Sequence, residues 1–227
     1  MRLFLDTANI EEIQHGVRLG VITGVTTNPS IVSREGKVNY HELVKEICSI
    51  VPGPVSTEVL SQDAQGMIAE AREIAKWAKN IVVKIPASLD GVEATSVLAR
   101  ENIRVNFTLC FSLNQALLGI AAGAAYISPF VGRLDDIGED GMKVVDDVVQ
   151  YLRYYQLPAQ VIAASIRHPQ HCVVAAKTGA HIATIPYQVL LQMIQHPLSD
   201  IGIKRFAADW EKVMGKRGII EIRRNHK

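Results

Sequence analysis

Short apolar runs alternate along the chain with stretches whose apolar positions recur every three or four residues, the signature of strands followed by helices. Leu3-Phe-Leu5 ends at Asp6, and Ile10, Ile13 and Val17 follow at helical spacing behind Asn9, a suitable cap. A second strand of weaker pattern lies around Gly24-Val-Thr26. It leads through Thr27-Asn28-Pro29-Ser30 into a polar loop reaching Lys37, before a helix marked by Leu43, Ile47 and Ile50. Residues 55–60 form a third strand carrying Glu58, and Asp63 caps a helix with Met67, Ala71, Ile74 and Ala78 on one face. The fourth strand is Asn80-Ile-Val-Val-Lys-Ile-Pro86, and Val92, Thr95 and Leu98 mark the short helix after it.

Residues 103–108 make a fifth strand and 113–121 an Ala-rich helix closed by Gly123. A sixth strand over 125–130 runs into Val131-Gly132-Arg133, a polar loop, and a long helix with Met142, Val145, Val148 and Leu152. Residues 160–165 and 181–185 are the last two strands, with helices opened by Pro169 and Pro186. Eight such units are the number that closes an α/β fold of the (β/α)8 TIM-barrel type, here a single domain over 1–227. Beyond the ring, Ser199 can cap an additional C-terminal helix over 199–214 with Ile203, Phe206, Trp210 and Val213 at helical spacing. Its apolar stripe is surplus to the barrel and needs a cover from its own chain or a neighbour, which points to a homo-oligomer. Residues 215–227 are basic and read as a loose tail.

Composition narrows the function. In 227 residues, 48% of them apolar, 24 Lys and Arg stand against 23 Asp and Glu, so no global field draws in nucleic acid or an anionic membrane. The basic tail lacks the aromatic platform of a nucleic-acid binder. Cys48, Cys110 and Cys172 are distant from one another and set among apolar residues, which fits reduced thiols in a cytoplasmic protein. The first apolar stretch meets Asp6 too early for a signal peptide, and no stretch is long enough for a membrane span.

Candidate chemistry begins at Lys84, a charged residue between aliphatic neighbours on a strand whose flanks predict burial on both faces. Desolvation favours the neutral amine, which attacks carbonyl carbon and forms Schiff bases. An ion-paired or snorkelling lysine near a strand end fits the same residues. The wider pattern adds weight to a site. Asp6, Thr26 with Asn28, Glu58, Lys84, Asn106 with Thr108, Ser128 and Ser165 end seven successive strands, at the barrel face where such folds place reactive groups.

Other polar clusters read more plainly. Asp135, Asp136, Glu139 and Asp140 lack a calcium-loop pattern and precede a helix whose N-terminus favours acids, so no metal is expected. His168 and His171 have no third ligand and read as a solvated helix start, and Cys110 as an apolar filler.

Phe4-Leu-Asp6-Thr7, Gly24-Val-Thr-Thr-Asn-Pro-Ser30, Val83-Lys-Ile-Pro86, Ser128-Pro-Phe-Val-Gly-Arg133 and Ala164-Ser-Ile-Arg167 together resemble transaldolase. The resemblance covers essentially the whole barrel and is nearest to the short subfamily that also contains the fructose 6-phosphate aldolases. It implies a (β/α)8 enzyme without cofactor. Such an enzyme moves a dihydroxyacetone unit between sugar phosphates of the pentose phosphate pathway through a lysine Schiff base. It further implies pentameric rings paired into decamers, with the C-terminal helix reaching a neighbour. By motif, Lys84 corresponds to the Schiff-base lysine, Glu58 and Thr108 to the pair holding a catalytic water, and Asp6 to the acid/base carboxylate. Asn28, Asn106 and Ser128 correspond to groups that hold donor hydroxyls, with Thr26 beside Asn28, and Arg133, Ser165 and Arg167 to the phosphate-binding set.

Two positions bear on which reaction is run. Aldolases of the subfamily usually carry glutamine at the position of Glu58 and tyrosine at that of Phe130. Phenylalanine offers no proton to an enamine, so the intermediate should wait for an aldehyde acceptor, which favours transaldolase over fructose 6-phosphate aldolase. A non-catalytic oligomeric scaffold leaves the polar strand ends unexplained, and a sugar-phosphate isomerase on this barrel leaves Lys84 without a task. Phe130→Tyr is expected to raise aldolase turnover relative to transfer; an unchanged ratio, measured by release of free dihydroxyacetone, removes the argument from this position.

Overall fold

In the computed structural model, which describes residues 1–36 and 39–214, eight parallel strands pair in chain order and close on themselves. They are β1 (Arg2–Asp6), β2 (Ile22–Thr26), β3 (Val55–Glu58), β4 (Ile81–Pro86), β5 (Val105–Cys110), β6 (Tyr126–Pro129), β7 (Gln160–Ala163) and β8 (Ile182–Ile185). The helices are α1 (Ile10–Arg18), α2 (Pro29–Val32), α3 (Tyr40–Ile50), α4 (Ala64–Trp77), α5 (Leu89–Arg100), α6 (Leu113–Ala121), α7 (Val131–Asp135), α8 (Gly141–Tyr154), α9 (Pro169–Thr178), α10 (Tyr187–Ile194) and α11 (Pro197–Met214). The (β/α)8 barrel expected from the alternation is therefore present, and the additional C-terminal helix is α11. Two compact units divide the chain, Met1–Leu190 and Leu191–Lys227.

Several caps follow the sequence signals. Asn9 accepts from the amides of Glu11 and Glu12, Asp63 from Gly66, and Pro169 opens α9. Elsewhere the structure differs. The segments expected as polar loops after strands two and six contain α2, a 3-10 turn at Ser33–Glu35, and α7. Asn28 makes the first of these possible, because its Oδ1 accepts the Ile31 amide at 2.9 Å ahead of Pro29. Strand five lies two residues later than its apolar pattern indicated, and Leu109 near its end has φ 54, where the β5–β6 register shifts. Strand seven stops at Ala163, so Ser165 falls beyond it. Helix α11 begins at Pro197, before Ser199, and its start is held by the imidazole of His196, whose Nδ1 accepts the Leu198 amide at 3.2 Å. Its side chains Leu198, Ile201, Ile203, Phe206 and Val213 are exposed. The basic segment 215–227 lies outside the described residues.

Two apolar layers follow from the alternation of strand side chains. Outward-facing residues such as Leu5, Val25, Val55, Val83, Ile85, Phe107, Ile127 and Val161 join helix residues such as Ile13, Ile47, Met67, Leu98 and Val148 in one continuous core. A second cluster consists of Phe4, Val82, Tyr126, Ile162 and Ile182, all from strands, and plugs the barrel interior. Gly24 belongs to this interior, since a methyl group there would lie 2.5 Å from the Phe4 ring. Residues two further along share its face, and they are Asp6, Thr26, Lys84, Ser128, Ala164 and Thr184. The polar floor of the barrel mouth thus rests on an apolar plug one pleat below.

At the opposite end, Asn80 ties β4 to the loop before β3. Its Nδ2 donates to the carbonyls of Cys48, Val51 and Gly53 at 3.0–3.2 Å. Asn80→Ala would strand these carbonyls and is expected to cost on the order of 1–2 kcal/mol, a fall in Tm of about 3–6 °C by thermal denaturation.

Candidate active site

Lys84 is 4% exposed, and its ammonium has two neighbours: Glu58 Oε2 at 2.9 Å and the carbonyl of Thr27, also at 2.9 Å. The strand register explains the first, because Glu58 and Lys84 are directly paired across β3 and β4. Lys84 in turn pairs with Asn106 across β5. Glu58 receives further support from β3's surroundings, where the Tyr40 hydroxyl donates to its carbonyl at 3.3 Å. Burial, with Glu58's charge adding, pushes the Tyr40 phenol up to about 12, so it stays a neutral donor.

Asp6 faces the barrel mouth and is half-buried. Burial raises its carboxyl above the ordinary value, while the Lys84 charge and a hydrogen bond from Thr26 oppose the rise. Glu58 adds to it, and Arg34 on the 3-10 turn opposes it. Thr26 Oγ donates to Asp6 Oδ1 at 2.7 Å and lies 2.6 Å from the hydroxyl of Thr184. With Asp6 ionised, Thr26 has only one proton and gives it to the carboxylate, so Thr184 must donate to Thr26. Thr184 was not among the residues singled out from the sequence. The signal was available: it stands two positions after Ile182, as Lys84 stands two after Val82.

A second polar chain crosses the floor from the other side. Asn106 is fully buried, its Nδ2 donating to Ser56 Oγ at 3.2 Å and its Oδ1 accepting from Ser128 at 2.6 Å. Ser56, also missed in the sequence, therefore fixes the orientation of the Asn106 amide. Thr108 lies on the same strand as Asn106, and its Oγ is buried with no hydrogen-bond partner among the described residues. A buried hydroxyl without a partner is costly, and it marks a group available to a polar atom arriving in the site. Asn28 is only partly available, because its side-chain oxygen caps α2.

The remaining expected residues gather where α7 meets the segment after β7. Phe130 pairs with Ala164, and its ring meets Phe111 edge-on at 5.8 Å and the Arg133 guanidinium at 5.7 Å. The carbonyl of Ser165 accepts the Gly132 amide at 3.0 Å. Gly132 must lack a side chain, since a methyl group would stand 2.4 Å from that carbonyl and 2.5 Å from Arg167 Nε. Arg167 ends on Asp136 at 2.8 Å, with both side chains more than half exposed.

The reading of His171 as part of a solvated helix start is corrected. The residue is buried, with Nε2 3.1 Å from Asp135, because α9 turns it inward against α7. Asp140 caps α8 through the amides of Met142 and Lys143, as the acidic run suggested. Among the described residues no group of His, Cys, Asp and Glu has the arrangement of a metal site, and no helix is long and apolar enough to cross a membrane. The three cysteines are free and buried, and burial pushes the Cys110 thiol up to about 11.

Comparison with known proteins gives the family. Residues 3–217 match the family described as transaldolase/fructose-6-phosphate aldolase. A probable transaldolase from Dehalococcoides mccartyi is 60% identical over 94% of this chain and 99% of its own length. One from Heliobacterium modesticaldum is 58% identical over 95% and 100%, and one from Methanococcus maripaludis 53% identical over 95% and 100%. Among solved structures, a thiamine phosphate pyrophosphorylase from Pyrococcus furiosus shares the fold alone, with TM-score 0.60 at 14% identity over 85% of this chain and 93% of that one. On the family match and these full-length relatives, the chain belongs to the transaldolase/fructose-6-phosphate aldolase family.

Proposed function

We propose that the protein is a transaldolase acting through a Schiff base on Lys84. It would transfer a dihydroxyacetone unit from sedoheptulose 7-phosphate or fructose 6-phosphate to glyceraldehyde 3-phosphate or erythrose 4-phosphate. The observation that carries the reading is the Lys84 ammonium, buried on the barrel floor within 2.9 Å of Glu58 and close enough to Asp6 to act on its carboxyl. With its proton passed to a neighbouring base, Lys84 attacks the ketose C2 carbonyl, and loss of water leaves an iminium. Asp6 takes the C4 hydroxyl proton, the C3–C4 bond breaks, and its electron pair enters the iminium to give an enamine while an aldose phosphate leaves. The enamine then attacks the acceptor aldehyde, whose oxygen takes the proton back from Asp6, and hydrolysis frees Lys84.

Other roles follow from chemistry at each position. Glu58 and Thr108 hold the water that moves protons during imine formation and hydrolysis, and the otherwise unpartnered Thr108 hydroxyl suits that task. Asn106, Ser128 and the free amide end of Asn28 hold donor hydroxyls, while Thr26 steadies Asp6. Arg133 and Arg167, with Ser165, take the phosphate, for which two guanidinium groups are a strong match. Phe130 lines the acceptor side without a proton to give, which favours transfer over release of free dihydroxyacetone; fructose 6-phosphate aldolase is the second reading because the family contains both reactions. The setting we propose is the cytoplasmic pentose phosphate pathway, with a homo-oligomer, pentamer or decamer, covering the exposed apolar side chains of α11.

Two measurements test this reading. Borohydride reduction in the presence of fructose 6-phosphate is expected to add a three-carbon unit to the wild-type protein by mass spectrometry and none to Lys84→Met. No adduct on the wild type under turnover conditions overturns the mechanism; sedoheptulose 7-phosphate formed on adding erythrose 4-phosphate then distinguishes transferase from aldolase.

The second concerns Asp6. Burial raises its carboxyl in the folded state, so the folded chain keeps that proton to higher pH than the unfolded chain does. Stability therefore falls as pH rises between the two values. Asp6→Asn is expected to lose turnover by ~10²–10⁴-fold yet gain Tm relative to wild type on going from about pH 4 to about pH 7.5. A Tm difference that stays flat across that range contradicts the linkage.

A further inference from the structure

The segment from Ser165 to Pro169 carries two of the residues assigned above to the phosphate, and its path is constrained at each step. Ser165 has φ 57 although it is not glycine, a conformation that persists only where its surroundings enforce it. Its carbonyl is held by Gly132, the Arg167 stem crosses the same glycine, and the guanidinium ends on Asp136. His168, the residue before α9, makes no side-chain capping bond. The main chain of Arg167 is held instead from within the helix, by His171, whose Nδ1 lies 3.3 Å from the Arg167 amide nitrogen.

These contacts determine the state of the His171 ring. An amide N–H can only donate, so Nδ1 must present a lone pair, and the ring proton must sit on Nε2 facing Asp135 Oδ2 at 3.1 Å. Asp135 is itself fixed, because its Oδ1 accepts the Gly141 amide at 3.1 Å. The His171 side chain is 11% exposed. Burial lowers its pKa, the charges of His168 and Arg167 lower it further, and Asp135 opposes them. Protonation would put a second donor against the Arg167 amide and break the anchor.

We propose that His171, as a neutral ring between Asp135 and the Arg167 main chain, is a positioning residue that sets affinity for the phosphate end of the substrate. The inference rests on the assignment of Arg167 to phosphate. Two substitutions separate its two contacts. His171→Gln keeps a donor towards Asp135 but has no acceptor at the Nδ1 position, whereas His171→Asn places an amide oxygen there.

With saturating donor, His171→Gln is expected to raise the KM for glyceraldehyde 3-phosphate roughly tenfold and to leave that for unphosphorylated glyceraldehyde within about twofold. His171→Asn is expected to recover most of the loss. Equal KM changes for both acceptors, or none for the phosphorylated one, overturn the proposal. Arg167→Ala serves as the reference. If it leaves the phosphorylated KM unchanged, the phosphate assignment fails and this inference with it; if it raises that KM while His171→Gln does not, only the role of His171 fails. Nitrogen-15 NMR of the wild type checks the ring without any variant: at neutral pH the Nε2-protonated neutral tautomer is expected, and a charged or Nδ1-protonated His171 overturns the proposal.

Discussion

A lysine and a glutamate facing each other across two parallel strands, nearly out of reach of water, are the constraint around which this barrel is arranged. Removing two charges from water costs several kcal/mol per ion, and the attraction between them offsets this only with good geometry and further hydrogen bonds. The structure provides both. Direct strand register sets the Glu58–Lys84 distance, and the Thr27 carbonyl takes another of the ammonium's protons. Beneath them the plug of Phe4, Val82, Tyr126, Ile162 and Ile182 fills the barrel interior, and the polar side chains stand on the side of the loops that follow the strands.

Around that pair the polar floor is built from chains rather than isolated groups. Thr184, Thr26 and Asp6 form one, and Ser56, Asn106 and Ser128 another. Each chain uses hydroxyls whose single proton has one place to go, which turns a set of rotatable side chains into a fixed array of donors and acceptors. Two features run against this economy: the Thr108 hydroxyl is buried without a partner, and the Asp6 carboxyl is held where burial disfavours its charge. Thr57 and Thr95 also bury unpartnered hydroxyls, so it is the position of Thr108 on the mouth side of β5, together with the raised Asp6 carboxyl, that ties these departures to the site. In the proposed mechanism Thr108 and Asp6 are the groups that meet the water and the migrating proton.

The proposed phosphate site is organised differently. It lies on the short helix α7 and on the loop leading to α9, outside the strand register, and depends on one close backbone approach at Gly132 and on side chains anchored by their neighbours. Loops after barrel strands carry specificity because they can vary without disturbing the ladder of the sheet.

How much of this was legible follows from range. Strand and helix alternation, the caps Asn9 and Asp63, and the polar residue ending nearly every strand are local signals, so the amino-acid order alone determined the barrel and the floor residues from Asp6 to Ser128. Boundaries set by partners were not readable. Strand five runs over Val105–Cys110, two residues later than its apolar pattern indicated, with a left-handed Leu109 near its end, and Ser165 fell beyond β7. After β2 a short helix, α2, replaced part of the expected loop because Asn28 supplied its cap, whereas α7 forms after β6 with no side-chain cap. Thr184 and Ser56 were hidden for a related reason, since a threonine or serine on a strand is ordinary until a neighbour from a distant strand makes it one member of a chain. His171 shows the limit most clearly. Its helix position is unremarkable in the sequence, and only the packing of α9 against α7 brings it between Asp135 and Arg167. Local periodicity decides which face of the barrel a residue lies on; which atom it touches there is decided by the closing of the ring, which joins residues more than a hundred positions apart.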